Sequence, residues 1–245
     1  RSDGRKDSIQ FQHGRVTFQF TEPRTARFRS SWMGGDRLDA LTTLATTLGL
    51  GFAAGLRLYA TILGLGLALR FHLLELPPAM QELEILAHPV LLAGAGLAYA
   101  VEFISDKIPW VDSIWDAVHT VIRPVGAAVL AATAFGQLDP LTKWMLVLLC
   151  GGVALSSHTT KAATRLAVNQ SPEPFSNWGL SLLGDVAAPA VIWLTATHPL
   201  LVLGFVLAFL LAFVWIFSRL VRWIRSGLAR WRSRREAADY SLTKP

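Results

Sequence analysis

Charge is scarce in this sequence. Only 16% of its 245 residues are Asp, Glu, Lys or Arg, while 52% are hydrophobic and the mean hydropathy is +0.41. Soluble domains carry about 25% charged residues, so the composition points to a membrane protein. Cysteine is reduced to Cys150, which excludes a disulfide framework and a cysteine-ligated metal site. Because Cys150 lies inside an apolar run, it reads as a packing residue. Also missing are a glycine-rich phosphate loop, a serine-nucleophile motif and the aspartate-rich repeats of prenyl or alcohol phosphotransferases. Those absences weigh against an enzyme. No methionine precedes Met33, and the polar residues before it contain no apolar stretch of the signal-peptide kind. The expectation is therefore a polar tail over residues 1–37, with translation naturally starting at Met33.

What the sequence does have is long apolar runs. Helical crossings need roughly 20 apolar residues each, and six fit, at residues 41–69, 88–104, 115–135, 141–157, 180–197 and 200–217. The expected fold is all-α, a polytopic bundle of about six transmembrane helices over residues 38–217. GFAAGLRLY from Gly51 can be laid over GVALSSHTT from Gly152, which admits a reading as two inverted three-helix halves. The short second, fourth and fifth runs also fit broken, half-membrane helices.

The net charge of +6 is uneven. Arg219, Arg222, Arg225, Arg230, Arg232, Arg234 and Arg235 follow the last apolar run. Beside a membrane helix such a cluster is a cytoplasmic topology signal rather than a nucleic-acid patch. Lys107, Arg123, Lys161 and Arg165 fall in the second and fourth connections, whereas Glu75, Glu82, Glu84 and Asp139 fall in the first and third. Six crossings then leave both termini in the cytoplasm. The tail, residues 218–245, places Leu220, Ile224, Leu228 and Trp231 on one helical face and is expected to lie on the membrane surface. The partner so implied is the lipid bilayer, and the Gly- and Ala-rich helices also permit a homo-oligomer.

Charges inside the apolar runs are the candidates for function. Arg57 interrupts the first run, where a charge costs about 2.5–3.5 kcal/mol on insertion scales and faces a protein interior or a wet cavity. Its natural partner is Glu102 or Asp185. In EFISDKIPWVDSIWDAVHTVIRP, residues 102–124, Pro109 ends one helix, with Glu102, Asp106 and Lys107 closing it and Asp112 opening the next as a candidate N-cap. Asp112, Asp116 and His119 are spaced to share a helix face, and such a set could hold a divalent cation. In SHTTKAATRLAVNQSPEPFSNW, residues 157–178, His158, Lys161 and Arg165 likewise share a face. Asn169, Glu173 and Asn177 mark a rigid polar loop, with Asn177 a candidate cap for the fifth helix.

These two motifs together resemble the bacterial membrane family known as domain of unknown function 4126, over about residues 38–215. Gly55, Leu56 and Arg57 match a Gly-Leu-Arg shared by that family, and Gly184 stands where the family implies a second acidic residue before Asp185. The resemblance implies a multi-pass inner-membrane protein and supplies no reaction. Three functions fit the residues. The first is a small transporter or channel working through Arg57, Glu102 and Asp185, with Glu102 the carboxylate that changes protonation. The second is a metal-dependent membrane enzyme for lipid phosphates, its cation on Asp112, Asp116 and His119 and its phosphate on Lys161 and Arg165. The third is a scaffold whose charges only hold helix ends together.

Overall fold

The computed structural model describes residues 8–12, 15–19, 32–168 and 174–242. Ser8–Gln12 (β1) and Arg15–Gln19 (β2) form an antiparallel hairpin with Ser8 opposite Gln19. It belongs to a compact unit of its own that ends at Ala40. From Trp32 onward every described regular element is helical: α1 (Trp32–Arg70), a 3-10 helix (Pro78–Ala87), α2 (Pro89–Ser105), α3 (Pro109–Ala134), α4 (Pro140–Val168), α5 (Pro174–Thr197) and α6 (Pro199–Leu242). Each helix from α2 to α6 starts on a proline. Proline fits there because its missing N–H would be unpaired anyway and its fixed φ suits the first helical turn.

Five helices are long and apolar enough to cross a membrane, or six if the 3-10 helix and α2, which meet at 76°, count as one bent span. Outward-facing Leu97, Leu148, Val186 and Leu211 are exposed in large part, as side chains facing lipid would be. The protein is a polytopic helical membrane protein.

By length and composition alone, Ala40–Arg70 would be one crossing. Its contacts say otherwise. Arg57 has extended backbone, φ −151° and ψ 87°, and breaks α1 into two helices. Before the break the chain runs alongside α4: Thr47 O accepts from Cys150 Sγ at 3.6 Å, Phe52 O from Ser157 Oγ at 3.0 Å and Leu56 O from Lys161 Nζ at 3.1 Å. After the break it runs back along α2. A Cβ on Gly96 would touch Leu63, one on Gly66 would meet Leu92, and Arg70 Nη1 donates to Ala87 O at 3.2 Å. Thr42, Thr46 and Leu65 line one cavity of about 280 Å³ together with Leu74. Along an unbroken helix, Thr42 and Leu74 would stand about 48 Å apart. The first apolar run is thus a re-entrant pair of half-helices with Arg57 at its tip, and its two ends lie on the same side of the bundle.

Several expectations change with that geometry. Single passes by α2, α3, α4, α5 and α6 would put Leu41 and the Arg219 end of α6 on opposite sides, whereas six full crossings would put them on the same side. The Gly152 segment, laid over the Gly51 segment in the sequence, is unbroken helix within α4. The two halves therefore differ where they should match. Three presumed loop charges are helical, because α3 continues through Arg123 and Pro124, and α4 extends to Val168 past Lys161 and Arg165. α6 runs without a break from Pro199 to Leu242, so the basic segment continues the last span rather than forming a separate helix.

Local caps follow the same logic. α1 ends with His72 at φ 52°, with Leu73 N bonded to Ala68 O at 2.8 Å and His72 N to Leu69 O at 3.1 Å. This is a Schellman closure in a position that usually selects glycine. Asp139 caps α4 by accepting from Thr142 N at 3.1 Å. Hydrogen bonds from Thr142, the hydroxyl first and then the amide, hold this exposed carboxyl below the usual carboxylate range.

Candidate functional site

The break at Arg57 leaves carbonyls of the preceding turn without helical partners. Inside a bilayer such groups are tolerated only where protein satisfies them, and α3 and α4 do so. Lys161 takes Leu56 O and Arg123 Nη1 reaches Gly55 O at 3.4 Å, while Ser157 bonds Phe52 O one turn earlier. Lys161 and Arg123 thereby place two cations at the C-terminal, negative end of the first half-helix, the end that favours positive charge. Gly55 is what allows the approach, since a Cβ there would run into Ser157 Oγ and the backbone of Ala154.

Arg57 itself is fully buried. Its Nη1 pairs with Asp106 and lies 3.7 Å from Glu102 Oε1, both from the end of α2. Its Nη2 is 3.1 Å from Asp185 Oδ1 on α5 and donates to Ser181 O and Oγ at 3.0 and 3.1 Å. Tyr99 donates to the same Asp185 oxygen at 3.2 Å. The sequence-derived choice between Glu102 and Asp185 is settled as both, with Asp106 added.

A second guanidinium completes the centre. Arg123, also fully buried, sets Nη2 2.6 Å from Glu102 Oε1 and 3.5 Å from Asp116 Oδ1, and Nη1 2.6 Å from His158 Nδ1. His158 Nε2 faces Asp116 O and Thr120 Oγ, each at 3.1 Å. The imidazole therefore accepts from Arg123 on one nitrogen and donates on the other, which fixes it as the neutral tautomer. Arg165 reaches Asp106 Oδ1 at 2.8 Å through Nη1, pairs with Asp112 through the same nitrogen, and lies 4.0 Å from Asp116. Lys161 Nζ is 3.8 Å from Glu102. Glu102, Asp106, Asp112, Asp116 and Asp185 thus face Arg57, Arg123, Lys161 and Arg165, five carboxylates against four cations.

Most of the candidates come together here: Arg57, Glu102, Asp106, Asp112, Asp116, His158, Lys161, Arg165 and Asp185. Lys107 does not. It caps its own helix end, bonded to Phe103 O at 3.2 Å and lying over the Phe103 ring. Nor does His119 join Asp112 and Asp116 in a metal centre. Its Nδ1 meets Trp115 O at 2.7 Å, its Nε2 meets Tyr59 OH at 3.1 Å, and its ring stacks on Trp115. Among the described residues no group of three His, Cys, Asp or Glu is placed to hold a metal. Asp112 lies in the first turn of α3, whose N-cap is Ile108, and Asn177 lies within the first turn of α5 rather than before it. Asn169, Glu173 and the side chain of Asn177 fall outside the described residues.

Sequence reasoning missed Arg123, Ser181 and the tyrosines. The signal for Arg123 was present, since it continues the helix face of Asp112, Asp116 and His119 by one more turn. No curated protein and no solved structure matches this chain. The model of the family described as domain of unknown function (DUF4126) matches residues 44–219, most of the chain, and the protein belongs to that family.

Proposed function

We propose that the protein is a small transporter of the inner (plasma) membrane in which the re-entrant hairpin and the buried charges form a proton-coupled gate. The observation that carries this reading is Arg57: a cation at the tip of a broken helix, held by carboxylates from two other helices. Half-helices meeting at mid-protein are the usual setting of transporter sites, and intramembrane carboxylates commonly carry protons or ions. The positive residues near the network, with the arginines after α6, support a cytoplasmic position for that end of the bundle. The Glu75, Glu82 and Asp139 side, together with Leu41, then faces outward.

Glu102 is the coupling residue. One of its oxygens is shared by Arg57, Arg123 and Lys161, and the other, Oε2, has no hydrogen-bond partner. With carboxylates in excess by one, a single proton on Oε2 neutralises the network and weakens the grip of Glu102 on both guanidiniums. The tip of α1 is then held by Asp106, Asp185 and Ser181 and is free to shift against α3 and α4. Loss of the proton restores the clamp.

In liposomes carrying a trapped pH indicator, an imposed membrane potential should drive proton uptake through the wild-type protein. Glu102→Gln, which keeps the shape and removes the charge, should reduce uptake to the level of empty liposomes. Equal uptake by the two proteins would remove Glu102 from the mechanism, and no uptake by either would remove the coupling.

A further inference from the structure

A second cavity, also of about 280 Å³, lies where α4, α5 and α6 meet beside the network. Phe52, Leu56, Leu180 and Phe209 contribute apolar wall, and among the described residues Lys161 and Arg165 are its charged lining. Arg165 is 2% exposed, and all its ion pairs use Nη1; Nε and Nη2 have no hydrogen-bond partner. Those two nitrogens form one edge of the guanidinium, the fork that binds carboxylate or phosphate through two parallel N–H···O bonds. A buried donor edge left without an acceptor is costly, and Arg165 also lines this largely apolar cavity.

The other cavity touched by Arg165, about 260 Å³, is lined by Asp112 and Asp116 and would repel an anion. On the α4–α5 side the lining residues Thr160, Thr164 and Leu183 are exposed, so this cavity opens sideways where the bilayer would be. A free inorganic anion has no use for the apolar wall, and an uncharged lipid supplies no acceptor for the unpaired edge of Arg165. We infer that this cavity binds an anionic amphiphile, a phosphate or carboxylate headgroup seated on Arg165 and Lys161 with its hydrocarbon chain leaving between α4 and α5. This names a substrate class for the transporter reading and rests on it only for movement, since binding can be measured by itself.

The test uses the full chain in phosphatidylcholine nanodiscs, with dodecyl phosphate as probe and thermal unfolding as readout. Dodecyl phosphate should raise the unfolding temperature saturably, while lysophosphatidylcholine and inorganic phosphate should not. Ala187→Trp, which fills the cavity without touching a charge, should abolish the shift, and Lys161→Gln should weaken apparent affinity about tenfold, the loss of roughly 1.4 kcal/mol. An equal response to inorganic phosphate would contradict an amphiphile site. An equal response to lysophosphatidylcholine would contradict headgroup selection. No response in wild type, or an undiminished one in a folded Ala187→Trp protein, would overturn the inference. Binding without Glu102-dependent proton uptake would sink the transport reading alone, and uptake without binding would sink this one alone.

Discussion

Arg57→Met is expected to destabilise the folded protein by about 3–5 kcal/mol, the usual result of removing one partner from a buried ion pair. The methionine fills much of the same volume, so the loss is electrostatic. Asp106, Asp185 and part of Glu102 are left as buried carboxylates without their shared cation. The effect should shrink when a carboxylate is neutralised at the same time. In Arg57→Met/Asp185→Asn the summed loss should be clearly smaller than that of the two single variants added together, because residues in one network are not additive. Denaturant unfolding in mild detergent measures all three proteins. A loss below about 1 kcal/mol for Arg57→Met, within the range of solvent-exposed pairs, would mean that water or lipid headgroups reach Arg57 and that the hairpin tip is not buried.

Gly55→Ala is the second large effect, and it tests packing instead of charge. The new methyl group would occupy space held by Ser157 Oγ and the Ala154 carbonyl. Backbone cannot retreat as a side chain can, so α1 and α4 must separate. Overpacking of this kind costs about 1–3 kcal/mol, and the separation also breaks the bonds of Ser157 and Lys161 to the broken end of the half-helix. Gly152→Ala provides the contrast. Nothing lies within 4 Å of a Cβ at Gly152, on the exposed side of α4. In a helix interior, alanine is better than glycine by about 0.5–1 kcal/mol, so this variant should be neutral or more stable. The same chemical change at two glycines of neighbouring helices should therefore act in opposite directions. Equal behaviour would mean that the α1–α4 approach is looser than described.

Much of this molecule could be read from its sequence because lipid imposes simple demands. Apolar runs had to be helical, Pro109 marked a helix boundary, and charges at helical spacing on α4 had to share a face. The burial of Arg57 followed from cost alone. The doubling back of α1 did not, since hydropathy counts residues and is blind to a break confined to one of them. Leu41 to Leu69 reads as one long span whether it crosses or returns. The informative feature was its length together with a mid-run arginine directly after Gly55, which suits a break as well as a deep ion pair. Arg123 was counted as a topology charge of the second connection although it lies within the third apolar run. α3 carries Pro124 inside, as membrane helices can when neighbours satisfy the freed backbone. The structure does not gather Asp112, Asp116 and His119 as the metal reading expects: spacing shows which residues share a face, not what Trp115 and Tyr59 already do with the imidazole.

The re-entrant hairpin is the claim on which the rest depends, and sidedness tests it directly. Single cysteines at Leu41, Leu73 and Ile108, all exposed positions, can be labelled in sealed vesicles with a membrane-impermeant maleimide. The native Cys150 is 2% exposed and should remain silent until the protein is unfolded. The account predicts that Leu41→Cys and Leu73→Cys react from the same side and Ile108→Cys from the opposite side. Labelling of Leu41→Cys together with Ile108→Cys would mean that the first apolar run crosses the membrane, and Arg57 would then not sit at the tip of a hairpin.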